Sequence, residues 1–335
     1  MQFRLRYLVF PLLVAALVAA VLWAIPADGY IYAPDRAKPL AGHVVVPGAR
    51  PSGGGDVYYV DAFIKRASLL ERVLPFTRPD GSTLVPAQNY LPQGISARQR
   101  EQQVVEEMQR STQIAPAVAL AALGRKVRAH ATGVVVIGVI GGTPAAGRLQ
   151  EGDVIVAVDG RPVRTTAALR AAIGRHRPGE RVRLTLRRSG EPVEVSLRTI
   201  AAPGQPARPI VGIQVDQAAT IRLPVSVKID IGKVGGPSAG LPFALEIARM
   251  LGRNVTHGCK IAATGELALD GTVLPVGAIK QKTVGARRTG VSLFIVPVGD
   301  NNADEARANA HGLRIMAVSS FQQALRQLAT HPPKC

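Results

Sequence analysis

The chain is poor in acid, aromatics and cysteine. Its 335 residues carry 23 Asp and Glu against 41 Lys and Arg, a formal net charge of +18, and only 4% are Phe, Trp or Tyr. A basic chain raises nucleic acid as a partner, because cations that neutralise phosphates release counterions. Base-stacking platforms need aromatics, and the arginines are scattered over alternating strand positions and exposed helix positions. Nucleic acid is therefore not expected, and anionic lipid heads are the alternative destination of the charge. Cys259 and Cys335 are too few for a disulfide framework or a zinc site. Free thiols are expected, with one bridge as the alternative in an oxidising compartment. The metalloprotease pattern H-E-x-x-H is missing, and so is the phosphate loop G-x-x-x-x-G-K-[ST]: Gly232-Lys233 is followed by Val234, and Gly258 by Cys259-Lys260. No metal, no cofactor and no use of ATP are expected.

Charge is also missing from Tyr7–Ile25, a run of 19 residues. As a helix it would be about 28 Å long, close to the thickness of a bilayer core. Arg4 and Arg6 precede it and Trp23 stands near its end, which predicts a cytoplasmic tail (1–6), a transmembrane anchor (7–25) and everything later outside the cytoplasm. A cleaved signal peptide is the competing reading, but the run is long for one and Ile25-Pro26 spoils a small-x-small cleavage pattern.

Beyond the run, the 34 Gly and 25 Pro point to many turns. Pro47–Gly55 is a loop before a strand at Val57–Ile64. Ser96 and Gln99 form a capping box for a helix toward Pro116, with a second piece at 117–123. Between 126 and 200 the pattern becomes short strands with one helix at Thr166–Ile173. Val182, Leu184 and Leu186 alternate with polar residues, and Val193, Val195 and Leu197 do so after a Ser189-Gly190 turn, a half-buried hairpin. The stretch 201–209 is a Pro/Gly linker. A strand over Val225–Ile231 then leads through Gly232–Gly240 into a helix over 241–251. A serine at such a strand-to-helix turn lies near free helix N–H groups that favour an oxyanion, with the amides of Ser238 and Ala239 as donors. Gly236-Pro237-Ser238-Ala239-Gly240 also satisfies the nucleophile elbow G-x-S-x-G, but too little chain follows Ser238 for the rest of an α/β-hydrolase. Glu266, Asp270 and Asp230 read as turn or solvated carboxylates. Strands at 291–296 and 313–318, a helix at 302–310 and a last helix capped by Ser319 and Gln322 complete an α+β count.

Two sets of motifs carry a resemblance. Gly133-Val134-Val135-Val136, Gly142-Thr143-Pro144-Ala145, Leu149, Gly152-Asp153-Val154-Ile155 and Val158-Asp159-Gly160 resemble a bacterial PDZ domain, placed at 126–200. The resemblance implies capture of a polypeptide by strand addition beside Gly133, Val134, Val135, Val136 and Ile137, or a domain kept for packing and gating. The GPSAG turn, Ala263-Thr264-Gly265-Glu266, Asp270-Gly271 through Lys282 and Phe294–Pro297 resemble the proteolytic domain of the Lon family, placed at 210–335. That resemblance implies a serine-lysine dyad of Ser238 and Lys282, with Thr264 hydrogen-bonded to the lysine, and a homo-oligomeric ring. Lys280 is the rival base. Gly235 stands where many Lon enzymes have Asp, and Ala278 where they have a second glycine. The layout with an anchor, an intervening region (26–125) and no ATPase module is similar to PDZ-containing Lon-like peptidases. A scaffold that has lost catalysis and only binds peptides is the alternative. Physically, a lysine base must lose about three units from its usual value near 10.4; the apolar Val273, Leu274, Val276 and Ile279 supply the burial that does this.

Overall fold

A strand of nothing but buried residues, β19 (Leu293–Pro297), marks the centre of the C-terminal sheet. The computed structural model describes residues 2–91, 96–232 and 234–335. In it β19 lies between β16 (Lys260–Ala263) and β20 (Arg314–Val318), and β4 (Asp56–Tyr59) flanks β16 on the other side, all parallel. β2 (Lys38–Pro39) adds an antiparallel edge. Parallel strands are buried on both faces, and alternate side chains go to different cores. Val57, Tyr59, Ile261, Ala263 and Ile295 pack with α4 (Ala97–Ala122), α6 (Gly240–Met250) and α9 (Phe321–Thr330). Tyr58, Ala262, Phe294 and Val296 pack with α7 (Ile279–Thr289) and α8 (Asn302–Ala308).

The mixed helix and strand content is as expected, but the partition of the chain is not. Residues 26–125, expected as a separate region, supply β4 and α4 to the core of the C-terminal sheet. α4 is a single helix that continues through Pro116, where two pieces were expected. The strand expected over Val225–Ile231 shrinks to β15 (Lys228–Ile229), whose partner among the described residues is the two-residue β3 (Val44–Val45). The last helix is capped one residue later, by Ser320, whose side chain accepts from Gln323 N. Cys259 and Cys335 form a disulfide with Cα atoms 5.7 Å apart, which corrects the expectation of free thiols.

The second sheet has the order β11-β10-β8-β7-β14, with β9 (Arg161–Pro162) beside β8. β7 is Arg128–Val139, β8 Val154–Val158, β10 Arg181–Arg188, β11 Glu191–Arg198 and β14 Ile213–Arg222. The hairpin has the expected facing, with Val182, Leu184 and Leu186 opposite Leu197, Val195 and Val193. Leu169 and Ile173 of α5 (Thr166–Ile173) close this core. The supposed linker is itself a hairpin, β12 (Ile200–Ala202) with β13 (Gln205–Ile210). β14 then joins the sheet in place of starting the next domain.

At the N-terminal end, β1 (Pro26–Pro34) runs between β5 (Ala62–Ser68) and β6 (Thr83–Val85). α1 (Gln2–Ala24) leads into it, fastened where Leu69 N, opening α2 (Leu69–Val73), donates to Ile25 O at 2.9 Å. The described side chains of α1 begin at Phe10, and Phe10, Leu13, Leu17 and Trp23 are all exposed. Among the described residues no helix is long and apolar enough to cross a membrane.

Candidate active site

The carboxyl ends of parallel strands are where open sheets place their chemistry, and β4 and β16 end side by side here. Beyond β16, Gly265 N donates to Ser238 O at 2.8 Å and Leu241 N to Gly265 O at 3.0 Å, pinning the serine turn to the strand end. Thr264 is fully buried, and its hydroxyl donates to Ser238 O at 3.4 Å, where the resemblance implied a hydrogen bond to the lysine. Ser238 sits in a tight turn, Pro237–Ala239, that runs straight into α6. Gly236 opens the turn at φ 89°, a conformation that favours glycine. Pro242 is in the first turn of α6, where a missing N–H costs nothing. Lys233 lies outside the described residues.

α4 holds the turn from the other side. Gly236 N donates to Val104 O at 2.8 Å, and Ser111 Oγ to Pro237 O at 3.0 Å. A Cβ on Gly235 would fall 2.1 Å from Val104 Cγ1, so the aspartate common in Lon enzymes has no room at this position.

Lys282 comes from the opposite layer, on α7. It lines one cleft of about 640 Å³ with Ser238, Asp61, Lys38, Glu107 and Val276. It is 5% exposed, and burial pulls its pKa down to about 8, against the field of Asp61, which raises it. Lys280 is half-buried and lies outside the lining of this cleft; two residues on a helix are about 200° apart around the axis. Ala278 N-caps α7 in the left-handed region, at φ 60°, where a glycine would be unstrained. Asp230 bonds the turn amide of Gly232 at 3.0 Å and Asp270 that of Thr272 at 2.9 Å, as turn residues do.

Glu266 is different. Burial, then the nearby Asp216 and Glu107 carboxylates, push its pKa up to about 7. It belongs to a junction in which Arg110 of α4 pairs with Asp216 of β14, and Gln103 Nε2 donates to Ile137 O of β7 at 3.1 Å.

The peptide edge expected at Gly133–Ile137 is not an edge. β7 is paired on both sides, Val134 and Val135 to Ile155 and Val154 of β8, and Val134, Val135 and Val136 to Gln217, Asp216 and Val215 of β14. The strand that ends the sheet is β14. Between its start and α5 lies a groove of about 490 Å³, lined by Leu169, Arg170 and Ile173 from the helix and by Val211, Ile213 and Val215. Gly212, at φ +86°, approaches Thr143 so closely that a Cβ would lie 2.1 Å from its Oγ1. The apolar run Ile210-Val211-Gly212-Ile213 was the available signal, hidden because it follows a Pro-rich stretch.

Two packed domains, one with a grooved five-strand path and one with a serine turn facing a buried lysine, define the class. Residues 121–199 match the family model of the PDZ domain, and residues 213–330 that of the Lon protease (S16) C-terminal proteolytic domain. Lon protease of Desulforamulus reducens is 51% identical over 70 residues, 21% of this chain and 8% of that protein. Lon protease 2 of Bacillus subtilis is 31% identical over 113 residues, 34% of this chain and 19% of that one. The matched stretch thus spans less than a fifth of either of these curated relatives. The crystal structure of the PDZ domain of an SdrC-like protein from Listeria innocua is 28% identical, with 25% of this chain and 92% of that one covered and a TM-score of 0.24.

Proposed function

We propose that the protein is an ATP-independent serine endopeptidase in which Ser238 is the nucleophile and Lys282 the general base. The observation that carries this is a lysine buried in the same cleft as Ser238, with its pKa pulled down to about 8, so that a useful fraction is a neutral amine near neutral pH. Ser238 Oγ attacks the peptide carbonyl carbon as its proton passes to Lys282 Nζ. The oxyanion is received by the N–H groups of Ser238 and Ala239, in the turn just ahead of α6. Collapse expels the amine, which takes the proton from Lys282, and leaves an acyl-enzyme. Water, deprotonated by the neutral Lys282 amine, then attacks the acyl carbon, and the acid leaves as Ser238 Oγ takes the proton back from Lys282. Thr264, bonded to the Ser238 carbonyl, holds the turn in register with the lysine.

The PDZ domain binds an extended polypeptide along β14, opposite α5, where backbone pairing gives affinity and the apolar groove selects side chains. The chain works outside the cytoplasm, held to the membrane by the apolar surface of α1. The Cys259–Cys335 disulfide supports an oxidising compartment, and the exposed Phe10, Leu13 and Leu17 support contact with lipid. Subunits assemble as a homo-oligomeric ring.

The test is digestion of a mixed peptide pool by wild type and Ser238→Ala, with labelling by a serine-directed phosphonate. Cleavage and label are expected only in the wild type. Peptide binding with neither would leave a scaffold whose function is recognition alone.

A further inference from the structure

The geometry points to Asp61 as the positioning residue of the Lys282 amine, a carboxylate fixed at the end of β4 as the counter-charge for the ammonium formed when Ser238 is deprotonated. This rests on the dyad proposed above. Asp61 follows β4 by two residues, beside the end of β16 from which Thr264 extends, and it lines the cleft with Ser238 and Lys282. Its two oxygens have different fates. Oδ2 is held by Lys38 at 3.2 Å, and Lys38 is itself held by Asp35 at 2.9 Å. Oδ1 is buried and has no hydrogen-bond partner among the described residues. A buried carboxylate oxygen without a donor is costly, and Oδ1 stands open to a cationic donor from the cleft.

The other titratable groups lining this cleft are Tyr32 of β1, Asp35 just before β2, Lys38 of β2, Tyr90, and Arg100 and Glu107 of α4. Of all these, Asp61 is the one whose field acts on Lys282, and it favours the charged amine. Lys38 keeps Asp61 in place from the solvent side without entering the reaction. A serine-lysine dyad has no third member to stabilise its cation, as the aspartate does in a serine-histidine triad. Asp61 supplies that missing charge without touching the substrate.

The experiment compares the full chain with Asp61→Asn and Asp61→Glu in two readouts. The first is kcat/KM against pH. Asparagine removes the charge that favours the ammonium, so the acidic limb moves to lower pH while the plateau kcat falls about tenfold or more and KM changes little; one pH unit of lost stabilisation corresponds to about tenfold. Glutamate restores part of the rate. The second readout is titration of carbon-labelled lysine, with the Lys282 signal identified by its absence from Lys282→Arg. Its midpoint falls in Asp61→Asn, whether or not turnover is detected. An unmoved Lys282 midpoint in a folded Asp61→Asn protein overturns the proposal. So does a rate loss without a shifted limb. Failure of the dyad itself would look different: Ser238→Ala and Lys282→Arg would both stay active.

Discussion

At the scale of single residues, the site turns on which of two neighbouring lysines is dry. Lys282 is buried and Lys280 is half in solvent, so burial lowers the affinity for a proton at the first position. Lys282→Arg should abolish peptide cleavage with the fold intact, because guanidinium stays charged, whereas Lys280→Arg should keep most of the activity. The wild-type rate should rise with pH through about 8, as the Lys282 amine loses its proton; a pH–rate profile on one peptide checks this. The αL conformation of Ala278 gives a second expectation. A side chain there costs about 1 kcal/mol relative to glycine, so Ala278→Gly should raise the unfolding free energy by that amount in a urea titration, with α7 starting where it does now.

At the scale of elements, one strand changes the account of peptide binding. β14 takes the outer side of β7, and the edge available to a ligand moves to the groove beneath α5. Gly212→Ala should weaken binding of a peptide with an apolar C-terminus by about tenfold or more, roughly the loss of one well-placed contact of 1.4 kcal/mol, because its Cβ has no space beside Thr143. Val135→Thr, on the doubly paired strand, should leave affinity nearly unchanged. Fluorescence anisotropy with a labelled peptide separates the two. The hairpin of β10 and β11 and the helix α5 were legible from alternation and helical spacing in the sequence. The serine turn was legible as a strand-to-helix break, whereas Lys282 was implied only by the resemblance to the Lon proteolytic domain, with Lys280 as its rival. β4 was read as part of one longer strand whose parallel partner β16 lies some 200 residues on, and a strand of four residues has no period that names its neighbours. β14 was not read at all: Ile213–Arg222 lies between the stretch taken as a linker and the strand expected over Val225–Ile231, and no alternation was found in it. The disulfide was hidden by a separation of 76 residues.

At the scale of the whole molecule, α4 ties the two domains together. One of its faces holds the serine turn through Val104 and Ser111, and another reaches the PDZ sheet through Arg110 to Asp216 and Gln103 to Ile137. Glu266 completes this junction from the proteolytic side, next to Asp216 and Glu107, and the fields of Arg110 and Arg170 only partly offset the push of burial and the two carboxylates. Its folded pKa, about 7, lies above the ordinary value of 4.5 that it regains on unfolding. Between those two values the folded chain therefore holds more protons than the unfolded chain, and stability falls as pH rises through that window. Glu266→Gln keeps the shape and removes the charge. Its melting temperature should exceed that of the wild type at pH ~8, where Glu266 is ionised, and approach it at pH ~3.5, where the carboxyl is protonated in both the folded and the unfolded chain. Calorimetry at both pH values checks the pair. If the ionised carboxylate also strains the junction, limited proteolysis within 201–212 should be faster for the wild type than for Glu266→Gln at the higher pH and equal at the lower. Equal melting at both pH values would mean that Glu266 ionises freely, and that Arg110 balances all three carboxylates.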